Sequence, residues 1–331
     1  MISPSSKARQ PTRAAWSLER LVHACAVALG FAIDSSTAKS YTSHVQSYLT
    51  FCKLHNFPVT PTPDTLSFYT VYMCHHIKPS SVDSYLSGIC NQLEPLYPEV
   101  HTLHKHSLVT RTLAGCKKML NTAPTRKSAL APHHLFLLLE HFPPDSHDNC
   151  LFRVLLLSGF FALHRLGKLV WPDDVDLQSW RKVIPRASVS LQEHTYSYVL
   201  PGHKADRLFH GLQVVVDDTF APQGLSPTGV LYEYLCSRDA LFPLQPALWL
   251  TATGSVPTRR WFLSWLRSVI ADPHISGHSL RAGDATYFVG LGWPDDRIQT
   301  LGRWSSDAFR MYIREHPVVM QALLHWRTTR L

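Results

Sequence analysis

Helical periodicity runs from Trp16 to Leu120 and stops at a basic, proline-bearing stretch, 121–131, after which strand signals appear for the first time. That order constrains the chain most, because a block of short helices must bury its own core before the sheet-forming part begins. Tyr41, Val45, Tyr48, Leu49 and Cys52 recur at helical spacing up to Asn56, behind Ser35-Ser36-Thr37, whose hydroxyls suit N-caps. Asn56-Phe57-Pro58 and Pro61-Thr62-Pro63 then break the chain. Asp64 opens a helix through Leu66, Tyr69 and Met73, and Pro79-Ser80-Ser81 starts another through Val82, Tyr85, Leu86 and Ile89. With a further helix over 107–120, the pattern predicts four or five short helices in a compact all-α domain at 16–122. Residues 1–15, polar with Lys7, Arg9 and Arg13, read as a flexible basic tail. Residues 123–130, with Pro124, Arg126 and Lys127, read as an interdomain linker.

The second domain, 131–331, begins with helices expected over 132–141 and 148–163. The run from Leu151 to Leu163 is strongly apolar, but it contains Arg153 and is too short to span a bilayer, so it reads as a buried helix. Strand signals follow at 188–191, 196–200 and 212–216, with a polar turn, Gly202 to Asp206, between the second and third. Helices are expected again over 228–241 and 258–271 and onward to the end. The whole chain is therefore mainly α, with one small antiparallel sheet in the second domain.

Hydrophobic residues make up 45% and charged ones 17%, which describes folded domains and not a disordered tail. The net charge of +8, with 20 histidines in reserve, suits a polyanionic partner. Seven cysteines without a Cys-x-x-Cys pair argue against a disulfide framework and for a reducing, intracellular compartment. His101, His104 and His106 lie close together, as do Cys74, His75 and His76, but neither group has a second half at zinc-finger spacing, so no metal is expected. No secretory signal or membrane span is visible.

The chemistry-bearing residues cluster late. His278-Ser279-Leu280-Arg281 puts an imidazole and a guanidinium on one helix face, and Gly302-Arg303-Trp304 and Tyr312 follow. Such groups can hold a phosphodiester, neutralise its charge and attack it with a phenolic oxygen. Arg165 ends the apolar helix in Leu163-His164-Arg165-Leu166-Gly167-Lys168, and Lys204 lies in the hairpin turn.

In this order, Arg165, Lys204, His278, Arg281, Arg303 and Tyr312 resemble the active-site set of the tyrosine recombinase (phage-integrase-like) family. The phrasing Leu301-Gly302-Arg303-Trp304-Ser305-Ser306-Asp307 through Tyr312-Ile313-Arg314 is similar to Crypton-type mobile-element members. The resemblance implies a site-specific recombinase or integrase, a DNA breaking-rejoining enzyme that needs no cofactor. Tyr312 would attack the scissile phosphate to give a 3′-phosphotyrosine, Arg165 and Arg281 would contact its non-bridging oxygens, and Lys204 would protonate the leaving 5′-oxygen. His278 would assist proton removal from Tyr312. Arg303 falls by spacing where the family usually has His or Trp, with Trp304 packing beneath it.

The resemblance further implies that the first domain is a core-binding (SAM-like) domain closing on double-stranded DNA as a clamp, opposite the catalytic domain. Lys39, Lys53, Lys78, Lys117, Lys118, Arg126 and Lys127 are its candidate phosphate contacts. It also implies a tetramer on synapsed DNA, with the apolar face of Val318, Val319, Leu323 and Trp326 docking on a neighbour, and nuclear localisation if the host is eukaryotic. One departure stands out: Lys168 occupies a position, three after the first arginine, where the family generally has an acidic residue. It is the basis of an alternative, a catalytically weakened or domesticated DNA-binding protein of the same fold.

Overall fold

The computed structural model describes residues 14–120, 128–201 and 211–304. They form two compact units that divide between Pro124 and Thr125. Residues 1–13 of the expected tail and 123–127 of the expected linker lie outside the described residues.

The first unit is all helix: α1 (Leu18–Gly30), α2 (Ser35–His55), α3 (Pro63–His76), α4 (Pro79–Leu93), α5 (Val100–His104) and α6 (Ser107–Leu120). The breaks read from the sequence are the breaks observed. Asn56 ends α2 in the left-handed conformation (φ 54°), its N–H donating back to Lys53 and Cys52 carbonyls. Pro63 starts α3 behind a reciprocal Thr62–Thr65 capping box. α2 packs on α4 and α3 on α6, burying Tyr48, Phe51, Leu66, Tyr69, Leu86 and Ile89. Tyr48 meets Tyr69 edge to face at 5.5 Å. α1 brings the count to six among the described residues, and it buries none of its residues, leaving Leu18, Leu21, Val22 and Leu29 exposed.

The second unit is built around α8 (His147–Phe161), which is buried along nearly its whole length. Arg153 is tolerated there because its Nη1 donates to the carbonyls of Leu139, at 2.7 Å, and Phe142, at 3.1 Å. These lie at the C-terminal end of α7 (Pro132–His141), where carbonyls lack helical partners. The sheet is antiparallel in the order β1 (Ser190–Leu191), β2 (Thr195–Leu200), β3 (Leu212–Asp217), with Tyr198 opposite Val214 and Leu200 opposite Leu212. Alternation sends Tyr196, Tyr198, Val214 and Val216 into the core. α9 (Pro227–Leu241), α10 (Arg259–Val269), α11 (Gly277–Gly290) and α12 (Asp295–Leu301) complete the described residues. The mainly-α class with one small antiparallel sheet is as the sequence indicates.

The end of the expected linker belongs to this unit. Ser128 donates to His274 O and Leu130 to Ser279 O, and Leu130 is fully buried. This segment crosses α11 at Gly283, where a Cβ would stand 1.9 Å from Leu130 O, so only glycine admits it.

Candidate active site

The site residues that are described come from three places: the chain just after α8, the first turns of α11, and the exit from α12. α8 stops at Phe161, and Leu163 takes a left-handed conformation (φ 47°) that swings His164 inward and leaves Arg165 exposed. Arg165 then leads into a turn of 3-10 helix, Leu166–Lys168, in which the Lys168 N–H donates to Arg165 O at 2.8 Å.

α11 starts at Ser276, whose hydroxyl and that of Ser279 form a capping box. His278, in the first turn, reaches the surface. Its pKa lies below the usual histidine value, first because of partial desolvation and then because of the charges of Arg259, Arg165 and Arg281. A neutral imidazole at neutral pH is a competent proton acceptor. One turn on, Arg281 is 3% exposed. Its Nη1 donates to Leu163 O and its Nη2 to Gly302 O, each at 2.5 Å. The centroid of the Trp304 ring lies 3.9 Å from its guanidinium carbon.

Leaving α12, Arg303 is also left-handed (φ 54°). Its Nη2 donates to Ala162 O and lies 3.5 Å from His164 Nδ1. Burial lowers the Arg303 pKa, against the pull of Tyr198 and Asp284. Trp304 is buried and packs under Arg281.

Four of the sequence-derived residues, Arg165, His278, Arg281 and Arg303, thus meet around the end of α8, with Lys168 and Trp304 beside them. Lys204 falls in the β2–β3 connection and Tyr312 beyond Trp304; both lie outside the described residues, as do Arg126, Lys127 and the 318–326 segment. In the first unit, Lys39, Lys53, Lys78 and Lys118 are exposed on α2, before α4 and on α6. Lys117 is engaged at 2.9 Å by Asp83 of α4. Lys53, Lys117 and Lys118 stand in the last turns of their helices, where a cation also meets the helix dipole.

Sequence reasoning missed a polar network behind the arginines. His164 is fully buried, and its Nε2 lies 2.7 Å from Tyr198 Oη. A guanidinium can only donate, so Nδ1 faces Arg303 as acceptor and Nε2–H donates to Tyr198. Burial, and then the charges of Arg303, Arg281 and Lys168, hold His164 neutral. Asp284, buried on α11 three residues after Arg281, accepts from Leu163 N–H at 2.7 Å. The signal was present in both cases: His164 adjoins Arg165, and Asp284 shares a helix face with Arg281.

No family model matches this sequence, and no curated protein matches it. Solved structures do. A XerH site-specific recombinase bound to palindromic difH substrate, in a post-cleavage complex, superposes with TM-score 0.56 at 16% identity, covering 82% of this chain and 74% of that one. A lambda integrase tetramer bound to a Holliday junction gives 0.53 at 14% identity, covering 89% and 76%. The Tn1549 transposon integrase with transposon right end DNA gives 0.50 at 13%, covering 87% and 99%. The chain has the fold of the tyrosine recombinases.

Proposed function

We propose that the chain is a site-specific recombinase or integrase that breaks and rejoins double-stranded DNA through a 3′-phosphotyrosine on Tyr312. The observation that carries this reading is the meeting of Arg165, His278, Arg281 and Arg303 at one end of α8, within a fold shared with DNA-bound recombinases. Three guanidiniums around a neutral imidazole provide what a phosphoryl transfer to a phenol needs: fixed positive charge for the pentacoordinate oxygens and a base for the attacking hydroxyl. Arg165, exposed beside the anchored Arg281, is the direct phosphate ligand in this reading. Lys204 is the general acid for the leaving 5′-oxygen. Exposed lysines of the first unit add phosphate contacts, and protomers associate on DNA through the 318–326 segment.

The test is incubation with a nicked suicide duplex followed by a denaturing gel. The wild-type chain should form a covalent protein–DNA adduct, and Tyr312→Phe should bind the duplex but form none. An adduct of undiminished yield in that variant would place the nucleophile elsewhere. With about six phosphates contacted, log affinity against log salt should have a slope near −5.

A further inference from the structure

Leu163, the residue that precedes His164-Arg165, is gripped at both its N–H and its C=O by one helix. Leu163 N–H donates to Asp284 Oδ2 at 2.7 Å, and Leu163 C=O accepts from Arg281 Nη1 at 2.5 Å. Asp284 and Arg281 are one turn apart on α11. Between these two bonds Leu163 holds φ 47°, a conformation that a γ-branched residue keeps only where its surroundings enforce it. Leu163 cannot relax without losing a bond to α11.

Asp284 is kept at a cost. The residue is completely buried, and its Oδ1 has no hydrogen-bond partner among the described residues. Burial pushes its carboxyl well above the usual carboxylate range, opposed by the Leu163 N–H and by the charges of Arg281 and Arg303. Oδ2 can accept from Leu163 in either protonation state. A small apolar residue would avoid the unsatisfied oxygen but would leave the Leu163 N–H with only its longer, 3.2 Å bond to Phe160 O at the end of α8.

We propose that Asp284 is a positioning residue for phosphate binding: by holding the Leu163 peptide in its left-handed turn, it sets the direction from which Arg165 meets the scissile phosphate. This deepens the recombinase reading and rests on it. Asp284 touches neither DNA nor the reacting atoms; it acts through Leu163.

The experiment measures single-turnover adduct formation on the suicide duplex for the full chain, with duplex affinity measured in parallel. Asp284→Ala should slow adduct formation at saturating DNA by about 10²-fold, the scale of a misplaced ligand, with affinity changed about threefold or less. Asp284→Asn, which keeps an oxygen for Leu163 N–H, should recover most of the rate. Arg165→Ala should be costly in the wild-type background and add little to Asp284→Ala, because the arginine is already misaimed there. If Asp284→Ala does not fold, Asp284→Ser takes its place in the cycle, its hydroxyl too short to reach Leu163. Additive effects of the two substitutions, or a full rate in the Asp284→Ala and Asp284→Ser variants, would overturn the inference while leaving the recombinase reading intact. A wild-type chain that forms no adduct would overturn both.

Discussion

The Arg281 guanidinium stands 3.9 Å from the centroid of the Trp304 ring, and the same ring closes against Gly302, where a Cβ would lie 1.7 Å from Trp304 Cζ3. The α12 exit therefore folds back on itself to put an indole face under a buried cation. Trp304→Ala should lower the stability of the second unit by about 3–5 kcal/mol, the range for emptying an aromatic site, and should weaken adduct formation with it. Trp304→Phe retains a π face and should lose less than half as much. Urea denaturation measures both, and an unchanged midpoint for Trp304→Ala would show that the stacking does not hold Arg281.

Gly283 is another position where a side chain has no room, since Leu130 O would be 1.9 Å from its Cβ. Gly283→Ala must displace either α11 or the 128–131 segment, and with α11 go His278 and Arg281. A loss of about 1–3 kcal/mol is expected from overpacking, partly offset by the better helix propensity of alanine. A midpoint equal to or above that of the wild type would mean that the crossing segment yields freely.

Acid should destabilise the second unit through His164. Its folded pKa lies well below 6.5, so below pH 6.5 the unfolded chain takes up a proton that the folded chain refuses, and stability falls as pH falls. One such group gives a slope of about 1.4 kcal/mol per pH unit between 6.5 and its folded pKa. The neighbours facing it are Arg303, Arg281, Lys168 and Tyr198, and none of these cations loses charge in that window. Asp284 acts with the opposite sign: its raised pKa costs stability as pH rises above the ordinary carboxylate value. The quantity to measure is thus the difference between wild type and His164→Gln in urea midpoints from pH 7.5 to 5. Parallel curves would show that His164 is protonated in the folded state.

Most of the frame was legible because its signals are local. Asn56, Pro63, Pro79 and Pro132 punctuate helices where caps and fixed φ values demand it, and β2 and β3 announce themselves by alternation. The arginines and His278 could be read because their order along the chain is itself a pattern. What escaped was the support behind them, since that depends on contacts distant in sequence. Asp284 meets Leu163 across 121 positions and Arg303 meets His164 across 139. The left-handed turns at Leu163 and Arg303 escaped as well, because neither residue type asks for a positive φ; the backbone is held there by Asp284, Arg281 and Ala162. α1 lies within the helical pattern that begins at Trp16, yet periodicity marks an apolar face without saying what covers it.

Lys168 gives the last prediction, because it brings a third positive charge near His164, beside Arg303 and Arg281. The site must bear that repulsion whenever no phosphate is bound. Lys168→Glu replaces the repulsion with an attraction. At an effective dielectric near 20 the change in the half-exposed turn should amount to about 1 kcal/mol after screening by solvent. The variant should therefore unfold at higher urea than the wild type, most clearly at low salt, and its His164 should take up a proton at a higher pH. If Arg165 and Arg281 alone meet the phosphate, the adduct rate on suicide DNA should hold or rise. A variant that is more stable but cleaves about tenfold more slowly, with weaker duplex binding and a shallower salt slope, would instead make Lys168 a phosphate ligand.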